Sequence, residues 1–367
     1  MLHNFRLFGL AALLLALAAS CSSNSATSFH PAVSGPAALK LCPLPNVPPK
    51  RIAAAPGFRE YIVTVAGPQG QPIDGLNESD FSLSIEGRSV PISYFRTSDG
   101  KLPTAIAIVV DSSGSMRDKL ALDSGAKFDI VREKLALAAQ KFGACDELAL
   151  LTFGGSANGF APHSLSQAIF SPPPPFQLAE PFTTDYEGAI DRLDLLTPWG
   201  QTPLYDSMLR AIGDLSISYY GNRTLLIITD GADNVSEATE DQVLREAQLN
   251  NVSIFAVGIG DPSAKFSPVH SAMLKLLAGS NAKKIKPEEW VDVIGLTRMA
   301  SETGGRFWLI RPLQPDSEQK LTEALQEFTD SIGHGYSIGV VDAGNRPIRV
   351  SVKGYPDAIV HARPAGV

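Results

Sequence analysis

The sequence predicts an α/β fold, a doubly wound and mostly parallel sheet with helices on both faces, accompanied by a small β module. Three observations carry this. Residues 106–110 read Ile-Ala-Ile-Val-Val, an unbroken apolar run closed by Asp111, which suits a strand buried on both faces. Residues 225–229 read Leu-Leu-Ile-Ile-Thr, a second such run closed by Asp230. From about 103 to 332, strand-like runs alternate with helix-period segments, the pattern of a parallel sheet covered on both sides.

The chain has 367 residues, room for a large core and more than one domain. Its formal charge of −7 argues against a nucleic-acid partner, whose phosphates need a basic face. At the N-terminus His3 and Arg6 precede a short apolar run over 7–19 that ends in small residues, the pattern of an export signal. The run is too short to span a membrane comfortably, and no long apolar stretch follows it. Leu17-Ala18-Ala19-Ser20-Cys21 resembles a bacterial lipobox, with the leucine one place early. Residues 1–21 are therefore expected to be a signal peptide with lipobox, and Cys21 the lipidated residue that anchors the protein to a membrane. An ordinary secretory signal cut nearby is the alternative. Residues 22–57 are rich in Ser, Ala and Pro without apolar periodicity and read as a flexible tether. Of the remaining cysteines, Cys42 and Cys145 could pair in an oxidising compartment or stay as two free thiols.

Residues 58–98 read as a β segment. Phe58 to Ala66 alternates, Gly67-Pro68-Gln69-Gly70 is turn chemistry, and short strands are expected at 81–85 and 90–95. In 103–332, strands are expected near 105–110, 148–153, 225–229, 252–258 and 306–310. Helices are expected near 127–142, 185–196, 204–217, 239–250, 290–302 and 317–331, with Gly304-Gly305 stopping one of them before its strand. Segment 334–363 offers three more strands, near 336–341, 348–352 and 358–362. Three lone strands are marginally stable, so 334–363 is expected to pack with 58–98.

The strand that closes on Asp111 presents one carboxylate and two hydroxyls, Ser113 and Ser115, at its C-terminal end, where open α/β sheets hold their ligands. All are oxygen donors, which hard cations such as Mg²⁺ take. Alone, Asp-Ser-Ser-Gly is also an ordinary turn or helix N-cap. A calcium loop of the EF-hand type is excluded, because Met116 and Leu122 stand where it needs glycine and glutamate.

The Asp-x-Ser-x-Ser pattern resembles the first part of a metal-ion-dependent adhesion site, the hallmark of von Willebrand factor type A domains. Thr202, in Pro-Trp-Gly-Gln-Thr-Pro-Leu-Tyr-Asp, resembles that family's threonine, and Asp230 its second aspartate. The resemblance covers 103–332. It implies a divalent cation, most simply Mg²⁺ with Mn²⁺ or Ca²⁺ as substitutes. Ser113, Ser115 and Thr202 would bind it directly, and Asp111 and Asp230 directly or through water. Neutral hydroxyls leave much of the ion's charge uncompensated, so an open sixth position would attract an Asp or Glu of a protein partner. In this family the chain enters and leaves opposite the metal, which would bring the two β segments together there. The flanks, from Gly70-Gln71-Pro72-Ile73 to Ile92-Ser93-Tyr94-Phe95 and at His361-Ala362-Arg363, are similar to von Willebrand factor A-related envelope lipoproteins common in Acidobacteria.

Two stretches exceed what such a core needs, 154–175 with its prolines at 172–175 and 261–289 with Lys275, Lys283, Lys284 and Lys286. Lys283, Lys284 and Lys286 are candidates for a partner surface, or simply a solvated face. Gly335-Tyr336-Ser337-Ile338-Gly339 matches a nucleophile elbow, but that motif needs a strand before the serine and a helix after it, the reverse of the order here. There is no Gly-x-x-x-x-Gly-Lys phosphate loop and no His-Glu-x-x-His. The expectation is a lipid-anchored envelope protein, exported and not an enzyme, that binds a cation and through it a protein. A metal-dependent hydrolase with a base near Asp233 or Asp261, and a lipoprotein whose ion only stabilises the fold, are the alternatives.

Overall fold

The structure, a computed structural model, describes residues 56–68, 72–97, 102–154, 156–157, 176–218, 220–260, 291–341, 346 and 348–364. Cys21, Cys42, the proline run at 172–175, Asp261 and the lysines at 275, 283, 284 and 286 lie outside them. Among the described residues no helix is long and apolar enough to cross a membrane.

The strands, in chain order, are β1 (Arg59–Ala66), β2 (Phe81–Ile85), β3 (Arg88–Val90), β4 (Tyr94–Thr97), β5 (Ala105–Ser112), β6 (Glu147–Gly154), β7 (Ser156–Ala157) and β8 (Phe176–Thr183). They continue as β9 (Leu196–Thr197), β10 (Arg223–Thr229), β11 (Val252–Ile259), β12 (Phe307–Ile310), β13 (Tyr336–Val340), β14 (Ile348–Val352) and β15 (Ile359–Pro364). The main sheet has the order β12-β11-β10-β5-β6-β8, parallel throughout except for β8, which runs antiparallel to β6 at the edge. This is the α/β class that the apolar runs predict.

Burial on both faces explains those runs. Every residue of β5 is buried. Ile106, Ile108 and Val110 pack on one side against helices Lys127–Ala139 and Ser317–Ser331. Ala105, Ala107 and Val109 pack on the other against helices Leu204–Ser216, Glu240–Leu249 and Val293–Thr303. Side chains alternate along a strand, so two cores form from one continuous apolar sequence. Helix Val293–Thr303 ends at Gly304, whose φ of +81° is a left-handed cap that glycine adopts without penalty.

The structure differs from the sequence reading in several places, among them the helix expected near 185–196, which is α-helical only over Tyr186–Asp191 and gives way to β9. The strand expected at 90–95 is split into β3 and β4, because Pro91 has no N–H to extend the ladder. Glu86 and Gly87, both at positive φ, make the tight β2–β3 hairpin turn. The edge strand β8 was not expected at all.

The flanking segments pair with each other. β1 lies between β13 and β15, β4 pairs with β13, and β14 pairs with β2. Tyr61, Val63, Phe81, Leu83, Tyr336 and Ile338 lie in their shared core. This β module meets the main sheet where β10 and β11 begin: Arg363 donates to the Asn251 carbonyl at 3.5 Å and to the Ser253 hydroxyl. Ser337 lies mid-strand in β13 and gives its hydroxyl proton to Glu60, and the next described element after it is a strand, β14, not a helix. Cys145 is disulfide-bonded, so it is not a free thiol. The loop that carries it is fixed by Asp146, whose carboxylate accepts the Gly143 and Thr104 N–H groups at 2.6 and 2.9 Å.

Candidate metal site

The main sheet reverses its winding between β5 and β10. The chain moves from β5 outward to β6 and β8, then returns to the other side of β5 for β10, β11 and β12. Ligands of open α/β sheets bind at such a switch point, beyond the carboxyl ends of the strands. Asp111 is the penultimate residue of β5 and Asp230 follows the last residue of β10. Both are fully buried, at 0% exposure.

Hydrogen bonds join four of the five sequence-predicted residues, directly or through a neighbour. Asp111 Oδ1 accepts the Ser113 N–H at 2.7 Å and Oδ2 accepts the Thr229 hydroxyl at 2.7 Å. Ser115 donates its hydroxyl to Asp230 Oδ1 at 2.7 Å, and the Ser113 and Ser115 hydroxyl oxygens stand 3.3 Å apart. The fifth residue, Thr202, is buried in the adjoining loop. Its backbone N–H goes to Asn234 Oδ1 at 2.9 Å and its carbonyl accepts the Asn234 N–H at 3.2 Å. Among the described residues no hydrogen bond joins its hydroxyl to the other four.

The local sequence explains how these loops are held. Ser112, the residue between Asp111 and Ser113, sends its hydroxyl to the Phe153 carbonyl at 2.8 Å and accepts the Trp199 N–H at 2.8 Å. Gly114 donates to the Gly200 carbonyl at 3.2 Å. Gly154 ends β6 at φ +72°, and a Cβ there would stand 2.9 Å from both Ser113 N and Trp199 O, so only glycine lets the three segments meet. Helix Leu204–Ser216 starts beside Thr202, and its first N–H groups lack intrahelical acceptors. The loop after Asp230 supplies them: Asp233 takes the Tyr205 N–H at 3.3 Å and Ser236 the Asp206 N–H at 3.1 Å. Asp206 in turn accepts the Ala238 and Glu237 N–H groups.

Burial pushes the Asp111 carboxyl up to about 7, with the charge of Asp230 adding to the effect. Asp230 is also raised, chiefly by burial, against the opposing pull of Lys127. Lys127 has its Nζ 2.9 Å from Asp230 Oδ2, and both side chains are buried. Sequence reasoning missed this lysine, and missed Thr229 and Asn234 as supports of Asp111 and Thr202. Asn234 carries a visible signal, since it closes the Asp-Gly-Ala-Asp-Asn run. Lys127 carries none.

At the rim, Arg117 stacks over the Trp199 ring at 5.2 Å. Asp233, proposed as an alternative base, has its carboxylate engaged with the start of helix Leu204–Ser216. Its pKa is raised, chiefly by burial.

The donor set consists of two carboxylates and three hydroxyls, oxygen throughout. Ligand oxygens about 2.1 Å from Mg²⁺ stand about 3 Å from one another across an octahedral edge. The Ser115–Asp230 and Ser113–Ser115 oxygen separations, 2.7 and 3.3 Å, bracket that spacing. These residues fit a hard divalent cation. Among the described residues no group of three or more His, Cys, Asp or Glu forms a metal cluster.

No family model matches the chain. An uncharacterized protein of Borreliella burgdorferi is 30% identical over 152 residues, and the match spans 41% of this chain and 41% of that relative's length. Among solved structures the chain resembles von Willebrand factor A domains. One is the von Willebrand factor type A protein of Catenulispora acidiphila, 13% identical at a TM-score of 0.41, covering 85% of this chain and 74% of that one. Another is the von Willebrand factor domain of the type V pili tip protein Mfa5 of Porphyromonas gingivalis, 10% identical at 0.39, covering 64% and 98%. BatB of Bacteroides thetaiotaomicron, 17% identical at 0.40, covers 62% and 98%.

Proposed function

We propose that this protein is a metal-dependent binding module of the von Willebrand factor A type, in which a divalent cation, Mg²⁺ in the first instance, links the switch point of the sheet to a protein partner. The observation that carries this is the pair of fully buried aspartates, Asp111 and Asp230, placed at the ends of neighbouring parallel strands with Ser113 and Ser115 between them. Two buried carboxylates in one site are costly, and Lys127, on Asp230 alone, supplies only one positive charge for the two. Asp111, Ser113, Ser115, Thr202 and Asp230 would hold the ion, which when bound supplies positive charge for a carboxylate of the partner. The Thr202 hydroxyl, uncommitted to the other four, is available as a ligand. No nucleophile is placed in this reading, and the module binds rather than catalyses.

Around such an ion the chain's own residues supply orientation and selectivity. Ser112 and Gly154 hold the serine loop against β6, and Asn234 holds Thr202. Arg117 on Trp199 offers a cation and an aromatic face at the rim, which favours an acidic partner segment. Cys21 would carry lipid and tether the module to the cell envelope through 22–57.

The test is isothermal titration of the purified chain with MgCl₂ and MnCl₂, beside Asp111→Ala and Ser115→Ala. The parent is expected to bind one ion and both variants to lose it. Pull-down from envelope extract should then yield a partner in Mg²⁺ and not in EDTA. A parent protein that binds no divalent ion refutes the metal reading. A partner retained equally in EDTA leaves the ion a purely stabilising role, and phosphatase or esterase activity lost in Asp111→Ala would make the site catalytic.

A further inference from the structure

Lys127 is the first residue of helix Lys127–Ala139, a position where a lysine ordinarily reaches solvent. Here its side chain is 4% exposed and its ammonium lies 2.9 Å from Asp230 Oδ2, on a carboxylate that is itself 0% exposed. The helix start is set by the chain before it, since the Lys127 N–H donates to the Asp118 carbonyl at 2.8 Å. This aims the lysine stem toward the switch point. The other Asp230 oxygen takes the Ser115 hydroxyl, and both Asp111 oxygens accept protons from Ser113 and Thr229. All four carboxylate oxygens are therefore satisfied from within the chain, and one of the four donors is a full positive charge.

That arrangement conflicts with a divalent cation at the same carboxylate. An ammonium and a doubly charged ion sharing Asp230 would repel at short range, in a site that water screens poorly. One of them must give way. We propose that Lys127 is a built-in competitor of the divalent cation: its ammonium neutralises Asp230 when the ion is away and leaves that carboxylate when the ion binds. The inference rests on the metal reading above. It makes binding an exchange of an internal cation for an external one rather than the filling of a preformed site. Asp118, exposed and close enough for its charge to act on Asp230, is the carboxylate beside which a displaced ammonium can settle.

The exchange has two measurable consequences. If the form with Lys127 displaced is about a tenth of the population before the ion arrives, apparent affinity is about tenfold weaker than the site itself could give. The same lysine keeps the switch point assembled without the ion, because it offsets a charge that would otherwise be buried unpaired. Affinity is thereby set to a higher ion concentration, and the fold is protected when the ion is scarce.

Lys127→Met keeps the length of the stem and removes the charge. Titrated with MnCl₂ and MgCl₂ as the full chain, it is expected to bind about tenfold tighter than the parent, and to melt at a lower temperature than the parent in EDTA. Lys127→Gln, also neutral, carries the same comparison should the methionine variant fail to fold. In the parent, acetylation with a water-soluble amine reagent and peptide mapping should find Lys127 protected in EDTA and labelled at saturating MgCl₂. A folded neutral variant that binds as the parent does, or more weakly, overturns the proposal while leaving the metal reading intact. Lys127 equally protected with and without bound ion does the same. If neither parent nor variant binds either ion at millimolar concentration, the metal reading itself fails and this inference with it.

Discussion

Tyr336 ties the two ends of the folded region together through Leu76: its hydroxyl accepts the Leu76 N–H at 3.1 Å and donates to the Ile73 carbonyl at 2.8 Å. The same ring packs on Phe81 at 4.9 Å and Phe95 at 6.0 Å between centroids. Tyr336→Phe keeps the ring contacts and strands the buried Leu76 N–H and the half-buried Ile73 carbonyl. It should lower stability by about 1–3 kcal/mol, read as a fall in the urea midpoint with the slope unchanged. An unchanged midpoint would show that water replaces the hydroxyl freely.

The junction between module and sheet should be acid-sensitive through His361. Its ring lies against Gly304, where a Cβ would come within 2.9 Å of it, and Arg363 and Glu302 line the same cavity. Burial lowers its pKa below the ordinary 6.5, and the charge of Arg363 adds to that. In the unfolded chain the imidazole takes its proton near 6.5. Below that pH the unfolded state binds a proton that the folded state does not, so stability falls as pH drops toward the folded value. Melting temperatures at pH 7.5 and 5.0 should diverge more for the parent than for His361→Gln. Equal divergence would mean the ring is already solvated.

Gly154→Ala should injure the site without replacing a ligand. The new Cβ would meet Ser113 N and Trp199 O, both backbone atoms, which forces the serine loop to shift. A shift that leaves Ser113 and Ser115 misplaced should weaken Mn²⁺ binding by tenfold or so, with the melt of the β module little changed. Unaltered affinity would show that the loop adapts.

A divalent ion at 100 times its dissociation constant should add about 2.7 kcal/mol to the stability of the chain. Asp111→Asn should abolish that increment. A thermal melt that is identical in EDTA and in millimolar Mg²⁺ would count against the site.

Cys21→Ala should release the protein from the detergent phase or leave an uncleaved precursor. Unchanged partitioning would exclude Cys21 as the anchor.

The α/β class was legible because β5, β10 and β11 are buried on both faces, and such strands write themselves as unbroken apolar runs. β8 was not. It reads Phe-Gln-Leu-Ala-Glu-Pro-Phe-Thr, polar residues among apolar ones with Pro181 near its end, a composition that only a sheet edge tolerates. At the site, Asp111 and Asp230 stand out because each interrupts an apolar run with a charge. Lys127 does not stand out, because a lysine at a helix start looks like any solvated charge. Its burial depends on Asp230, which the chain supplies 103 residues later and no local pattern announces.

The central place of β1 has a kinetic meaning. Its neighbours in the sheet, β13 and β15, are among the last strands of the described chain, and Val63 pairs with both Tyr336 and Ala362. Contacts between such distant parts of a sequence form slowly. Until they form, β1 exposes two unpaired edges, each able to recruit a stray strand from another chain. Among the described strands, a chain still emerging therefore carries β1 early and the strands that cover its edges late. A single cleavage between β12 and β13 would remove both of those strands together.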